Sequence, residues 1–134
     1  MIVFISCVKK KAKNPCRAED MYVSDLFKKS LAYARTLGAR KVYILSAKYG
    51  VLDLGDVIEP YELTLNAMTE AERKKWSYRV CKQLEAKGVP YSEEVIFLCG
   101  KNYRKYLEQK FVNSIAPLKD LGIGKQLAFY KNNT

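Results

Sequence analysis

Three short apolar runs decide what this chain can fold into. They are "IVFIS" at residues 2–6, "KVYILS" at 41–46 and "EVIFLC" at 94–99, all rich in β-branched or aromatic side chains. A strand covered on one face alternates between apolar and polar residues. A continuous apolar run of this length is expected of a strand covered on both faces. Each run is followed by helical spacing. Residues 19–37 place Leu26, Ser30, Tyr33 and Leu37 on one stripe, with Phe27, Leu31 and Ala34 beside it and Gly38 as the stop. "TEAE" is a capping box, with Thr69 at the N-cap and Glu72 three residues on. Trp76, Val80 and Leu84 then share a face before Gly88 and Pro90 end the helix. Residues 101–111 carry Tyr103, Tyr106, Leu107 and Phe111 along an apolar edge, and a last short helix is predicted near 124–131. Strand–helix alternation predicts an α/β three-layer sandwich: a small, mainly parallel sheet with helices on both faces. The 134 residues, 49% of them hydrophobic, suit a single domain spanning 1–134 with its own core.

Open α/β sheets bind ligands beyond the carboxyl ends of their strands. The residues that follow each run are therefore the first candidates for a site. Ser6, Cys7 and the Lys9–Lys11 cluster follow the first; Ser46, Ala47, Lys48, Tyr49 and Gly50 the second; Cys99, Gly100, Lys101 and Tyr103 the third. Small residues admit a ligand close to the backbone, lysines supply charge for phosphate, and tyrosines can stack on a base. The pattern points to a polyanion site with Ser6, Cys7, Lys9, Lys11, Ser46, Tyr49, Gly50, Gly100 and Tyr103 as substrate-binding residues. The plainer alternative is a set of basic loops that keep the surface soluble.

Charge supports the same direction. The chain carries a formal +10, a balance that favours nucleotides, nucleic acid or another polyanion. Residues 51–70 run against it, with no Lys or Arg and five acids: Asp53, Asp56, Glu59, Glu62 and Glu70. That acidic island falls in a stretch, 47–68, with no clear period, where Gly50, Gly55 and Pro60 suggest a long functional loop. Pro60 restricts Glu59 to an extended conformation. A carboxylate held beside lysines can act as a general base or stabilise a cationic transition state. Glu59 is thus the expected catalytic carboxylate, with Lys48 beside it and Tyr61 as a further base-binding residue; Asp53 and Asp56 look like turn residues. An exposed acidic loop is the competing reading.

Other signals are weaker. "GIGK" at Gly122–Lys125 opens the last helix and could cradle a phosphate through Gly122, Gly124 and Lys125, although it lacks the spacing of a nucleotide-binding P-loop and a tight turn packing the last helix accounts for it better. Cys7 beside lysines could be an activated thiol or a small packing residue. Four cysteines form no Cys-x-x-Cys pair and there is no histidine, so no metal site and no histidine acid–base chemistry are expected, nor any cofactor. No run of 18 apolar residues and no leader pattern is present, so no membrane span and a cytoplasmic protein are expected. The sequence sets no oligomeric state.

Read together, "SCVKKK", "AEDMYVSDLFKKSLAYA", "ILSAKYGVL", "IEPYELTL", "CGKNYRKYL" and "PLKDLGIGKQLAFY" resemble a family of small bacterial and phage proteins of unknown function. That family is distantly similar to the uracil-DNA-glycosylase-like α/β fold, including domains attached to tRNA base-modification enzymes. The resemblance implies a nucleobase or nucleic-acid substrate. Where those glycosylases carry an Asp-Pro-Tyr stretch after the first strand, this chain has Ser6-Cys7-Val8-Lys9. Classical uracil excision is therefore not expected, while base flipping and stacking remain compatible. The leading expectation is a protein that acts on a nucleotide or nucleic-acid base, cleaving or exchanging an N-glycosidic bond. A non-catalytic nucleic-acid-binding module and a protein-interaction factor are the alternatives.

Overall fold

The computed structural model describes residues 1–6 and 11–134. Cys7 and Lys9, two of the expected site residues, lie outside the described residues. In chain order the elements are β1 (Ile2–Ser6), β2 (Cys16–Arg17), α1 (Ala18–Met21), α2 (Asp25–Thr36), β3 (Lys41–Ser46), β4 (Gly50–Asp53), β5 (Val57–Ile58), a 3-10 turn (Leu65–Ala67), α3 (Glu70–Ala86), β6 (Val95–Leu98), α4 (Lys101–Lys110), β7 (Ser114–Ile115) and α5 (Ile123–Asn133). The three apolar runs are the central strands. The sheet order is β4-β3-β1-β6-β7, with β2 and β5 forming a separate ribbon. β1 runs parallel to both β3 and β6, with Ile2 opposite Lys41 on one side and Val95 on the other; β7 is parallel to β6 and β4 is antiparallel to β3.

Strand alternation divides the core into two layers. Ile2 and Phe4, with Tyr43, Leu45 and Phe97, pack under Trp76, Val80 and Leu84 of α3 and Tyr103 and Leu107 of α4. Val3 and Ile5, with Ile44 and Leu98, pack under Phe27, Leu31 and Ala34 of α2 and Tyr130 of α5. Residues 2–5 are 0% exposed, which explains why "IVFIS" does not alternate. Burying each such side chain is worth roughly 1.5–3 kcal/mol.

Local chemistry sets the boundaries. The Thr69 capping box forms: Thr69 Oγ1 accepts from Glu72 N at 3.2 Å and Glu72 Oε1 accepts from Thr69 N at 2.9 Å. The expected helix at 19–37 is broken in two. Ser24 takes an extended backbone and caps α2 by accepting from Phe27 N. Met21 and Tyr22 are drawn into the core before it, Tyr22 against the Phe27 ring at 5.0 Å. The inner stripe of α2 is Phe27–Ser30–Leu31–Ala34, with Leu26, Tyr33 and Leu37 only partly buried at its margin. The segment 47–68 is more regular than its composition suggests. Gly50 turns the chain at φ +78° and residues 50–53 return along β3, pairing Ser46 with Gly50 and Tyr43 with Asp53. No helix among the described residues is long and apolar enough to cross a membrane.

Candidate functional site

The path of the chain creates a crevice. From β1 it crosses through α2, on one face, to β3. It then returns through α3, on the other face, to β6 on the opposite side of β1. The winding direction reverses between β1 and β6, which is where open α/β sheets leave room for a ligand at their carboxyl edge. A cavity of about 360 Å³ opens there, in the size range of small-molecule sites. Ser6 lies at the end of β1 and Leu98, Cys99 and Gly100 at the end of β6; the starts of α2, α4 and α5 supply much of the remaining wall.

Among the described residues the wall is mainly apolar, from Leu26, Phe27, Leu98, Leu118 and Leu127, with a few polar groups between them. Ser6 Oγ accepts from Gly100 N at 3.3 Å, and Asn66 Oδ1 accepts from Asn102 Nδ2 at 2.8 Å. Gln126 Nε2 donates to Leu121 O at 2.8 Å. Cys99 is partly exposed as a residue, but its sulfur is set deep and donates to Phe4 O at 3.2 Å. Burial pushes that thiol up to about 12, against the opposing pull of a Ser6 hydrogen bond, so at neutral pH it is no thiolate nucleophile. Burial likewise raises the Tyr130 phenol above its ordinary value. The N-termini of α2, α4 and α5 all line the cavity. Ser24 caps α2, whereas α4 and α5 start at Gly100 and Gly122 with no side-chain cap among the described residues. Their first N–H groups carry a partial positive charge.

A second cluster gathers at the end of β3. Ser46 Oγ donates to the Tyr61 hydroxyl at 2.9 Å and accepts from Tyr49 N at 3.0 Å; the Tyr61 and Tyr22 hydroxyls bond at 2.7 Å. Trp76 Nε1 donates to Ser46 O at 2.9 Å from the far side. Lys11 Nζ stands 4.5 Å from the centre of the Tyr61 ring, and Lys48 Nζ 5.2 Å from that of Tyr49. The Tyr49 hydroxyl accepts from Glu59 N at 3.2 Å, fixing the backbone before Pro60, while Glu59 itself is exposed.

The expected residues thus fall into two groups. Ser6, Gly100 and Tyr103 line the cavity; Lys11, Ser46, Lys48, Tyr49, Glu59 and Tyr61 gather at the β3 end. Tyr103 is only 3% exposed, with its ring edge-on to Trp76 and its hydroxyl accepting from Leu65 N at 3.5 Å. Gly50 packs against Gln83, whose side chain accepts from Val51 N at 2.8 Å and donates to Tyr49 O at 3.1 Å. Gly122 caps α5, and Gly124 and Lys125 are exposed on its first turn. The acidic island does not assemble: Asp53 pairs with Lys41 and Lys87, and Glu70 with Arg73 and Lys105.

Sequence reasoning missed Asn66, Leu118, Gln126, Leu127 and Tyr130 as cavity residues. For the last three a signal existed. Ile123, Gln126, Leu127 and Tyr130 recur at helical spacing on one face of α5.

Residues 2–132 match a family described as a family of unknown function, DUF6884. The chain belongs to this family. It is also 34% identical over 118 residues to the uncharacterized protein YfjM of Bacillus subtilis (strain 168), across 79% of this chain and 73% of that protein. The family match spans every element from β1 to α5, so the cavity and the β3-end cluster are both inside it.

Proposed function

We propose that this member of the DUF6884 family binds the heterocyclic base of a nucleotide, free or within nucleic acid, in the β1/β6 crevice, with phosphate held along the basic carboxyl edge of the sheet. The observation that carries this reading is the cavity's place at the switch point. Apolar walls suit a planar ring, and the hydroxyl and amide groups between them suit its polar edge. The uncapped starts of α4 and α5 favour an anionic group at the mouth. Lys11 and Lys48, each above a tyrosine ring, extend the positive surface beyond it. The net +10 and the resemblance to glycosylase-like folds point the same way.

Binding has more support than bond cleavage. Glu59, the carboxylate expected to serve an N-glycosidic step with Lys48, is exposed at the β3 end, and among the described residues the carboxylate on the cavity wall is Asp25. The test is a salt series of binding to AMP, GMP, CMP and UMP and to short single-stranded DNA and RNA, with Lys11→Ala/Lys48→Ala as the comparison. A polymer ligand gives a steep salt slope that the variant reduces; a free nucleotide gives a shallow one. Absence of binding to every probe refutes the reading.

A further inference from the structure

Tyr130 is 1% exposed and stands on the cavity wall. Its ring is fixed by Tyr33, with centroids 5.6 Å apart, and by Phe129 at 5.8 Å. No described residue offers its hydroxyl a hydrogen bond. The nearby Cys99 thiol donates its own hydrogen bond to Phe4 O. Phenylalanine would pack the same ring, so packing alone does not call for the hydroxyl. The Tyr130 oxygen is not fully enclosed: it opens on the ligand-sized cavity, where a bound molecule can take its hydrogen bond.

We infer that Tyr130 is the selecting residue of this cavity, its hydroxyl donating a hydrogen bond to an acceptor atom on the bound heterocycle, a ring carbonyl oxygen or an unprotonated ring nitrogen. This rests on the proposed function, since it takes the crevice to be the base site. Burial keeps the phenol protonated, so it remains a donor throughout the neutral range. α5 supplies both ends of the recognition. Ile123 of its first turn is 56% exposed and Tyr130, two turns on, is 1% exposed, and both line the cavity, so one helix can read the base and lean its N-terminus toward the phosphate. A site built to satisfy a ligand acceptor discriminates strongly against ligands that lack it.

The experiment is calorimetric titration of the wild type, Tyr130→Phe and Tyr33→Phe with AMP, GMP, CMP and UMP, alongside a melting curve for each protein. Tyr130→Phe should lower affinity for the preferred nucleotide about tenfold or more and narrow the spread among the four, with no fall in melting temperature. Tyr33→Phe, which touches Tyr130 but does not line the cavity, should bind as the wild type does. Equal affinity of wild type and Tyr130→Phe overturns the role of Tyr130 while leaving the base site standing, as does an equal loss in both variants. If the wild type binds none of the four, the base-site reading itself fails and takes this assignment with it.

Discussion

The hairpin between β3 and β4 turns on one glycine, and its replacement gives a quantitative test of the packing around the β3-end cluster. Gly50 has φ +78°, and a Cβ built there would lie 2.1 Å from Gln83 Oε1 and 2.9 Å from Gln83 Cδ. Gly50→Ala therefore has two costs. The left-handed backbone costs a side-chain-bearing residue roughly 1–2 kcal/mol. The Gln83 amide must also leave, giving up its bonds to Val51 N and Tyr49 O, each worth about 0.5–1.5 kcal/mol. The expected loss is about 2–5 kcal/mol. Gln83→Ala loses the same two bonds without the backbone strain, about 1–3 kcal/mol. Once Gln83 is gone, alanine at 50 adds only the strain. The double variant should then fall short of the sum of the singles by about 1–3 kcal/mol in a double-mutant cycle. Urea denaturation of the four proteins measures this. Additive losses, or a Gly50→Ala cost below about 1 kcal/mol, refute the steric argument.

Three further outcomes are expected. Thr69→Ala should cost about 1 kcal/mol by urea denaturation, because it removes the cap of α3, and a change near zero counts against the capping box. The hydrogen bond from Tyr106, with those of Arg73 and Lys105, lowers the Glu70 carboxyl from 4.5 to about 2. A depressed folded-state value stabilises above the ordinary range and is lost as pH falls through it; stability should drop between about pH 4.5 and pH 2, and Glu70→Gln should flatten that stretch of a melting-temperature profile. An unchanged profile would mean that the Glu70–Tyr106 contact carries no pH linkage. Cys99 should resist iodoacetamide in the folded protein at pH 8 and react in urea, read by peptide mass mapping; rapid native labelling contradicts its enclosure.

The fold was legible where one physical signal dominated. Residues 2–5 read as a doubly covered strand because both faces are buried, and "TEAE" read as a helix start because the box closes within four residues. Legibility failed where the decision is made at long range. Tyr22 breaks the helical period at 19–37 because its side chain belongs to the core beside Phe27, a tertiary contact that outweighs local propensity. β4 shows no strand-like signal of its own; β3 beside it and Gln83, on a helix more than thirty residues away, make it an edge strand. β7 is only two residues long, too short to announce itself. The strand-end rule located Ser6, Gly100 and Tyr103 on the cavity, because that rule follows from topology rather than residue type. Of the expected lysines that are described, Lys11 and Lys48 stand at the β3 end, while the described residues of the cavity wall are mostly apolar and uncharged. Tyr130 was hidden because a tyrosine on an amphipathic helix looks the same whether its hydroxyl faces solvent, a partner or a cavity.

The most direct test of the crevice as a base site is a titration of the ¹⁵N-labelled protein with AMP, GMP, CMP and UMP, followed amide by amide. The expected result is saturable shifts at Gly100 and Tyr103 and at Ile123, Gln126 and Tyr130 with at least one nucleotide, because these residues line the cavity from two helices. Shifts confined to the Lys11, Lys48 and Tyr49 side, or none with any of the four, would contradict it.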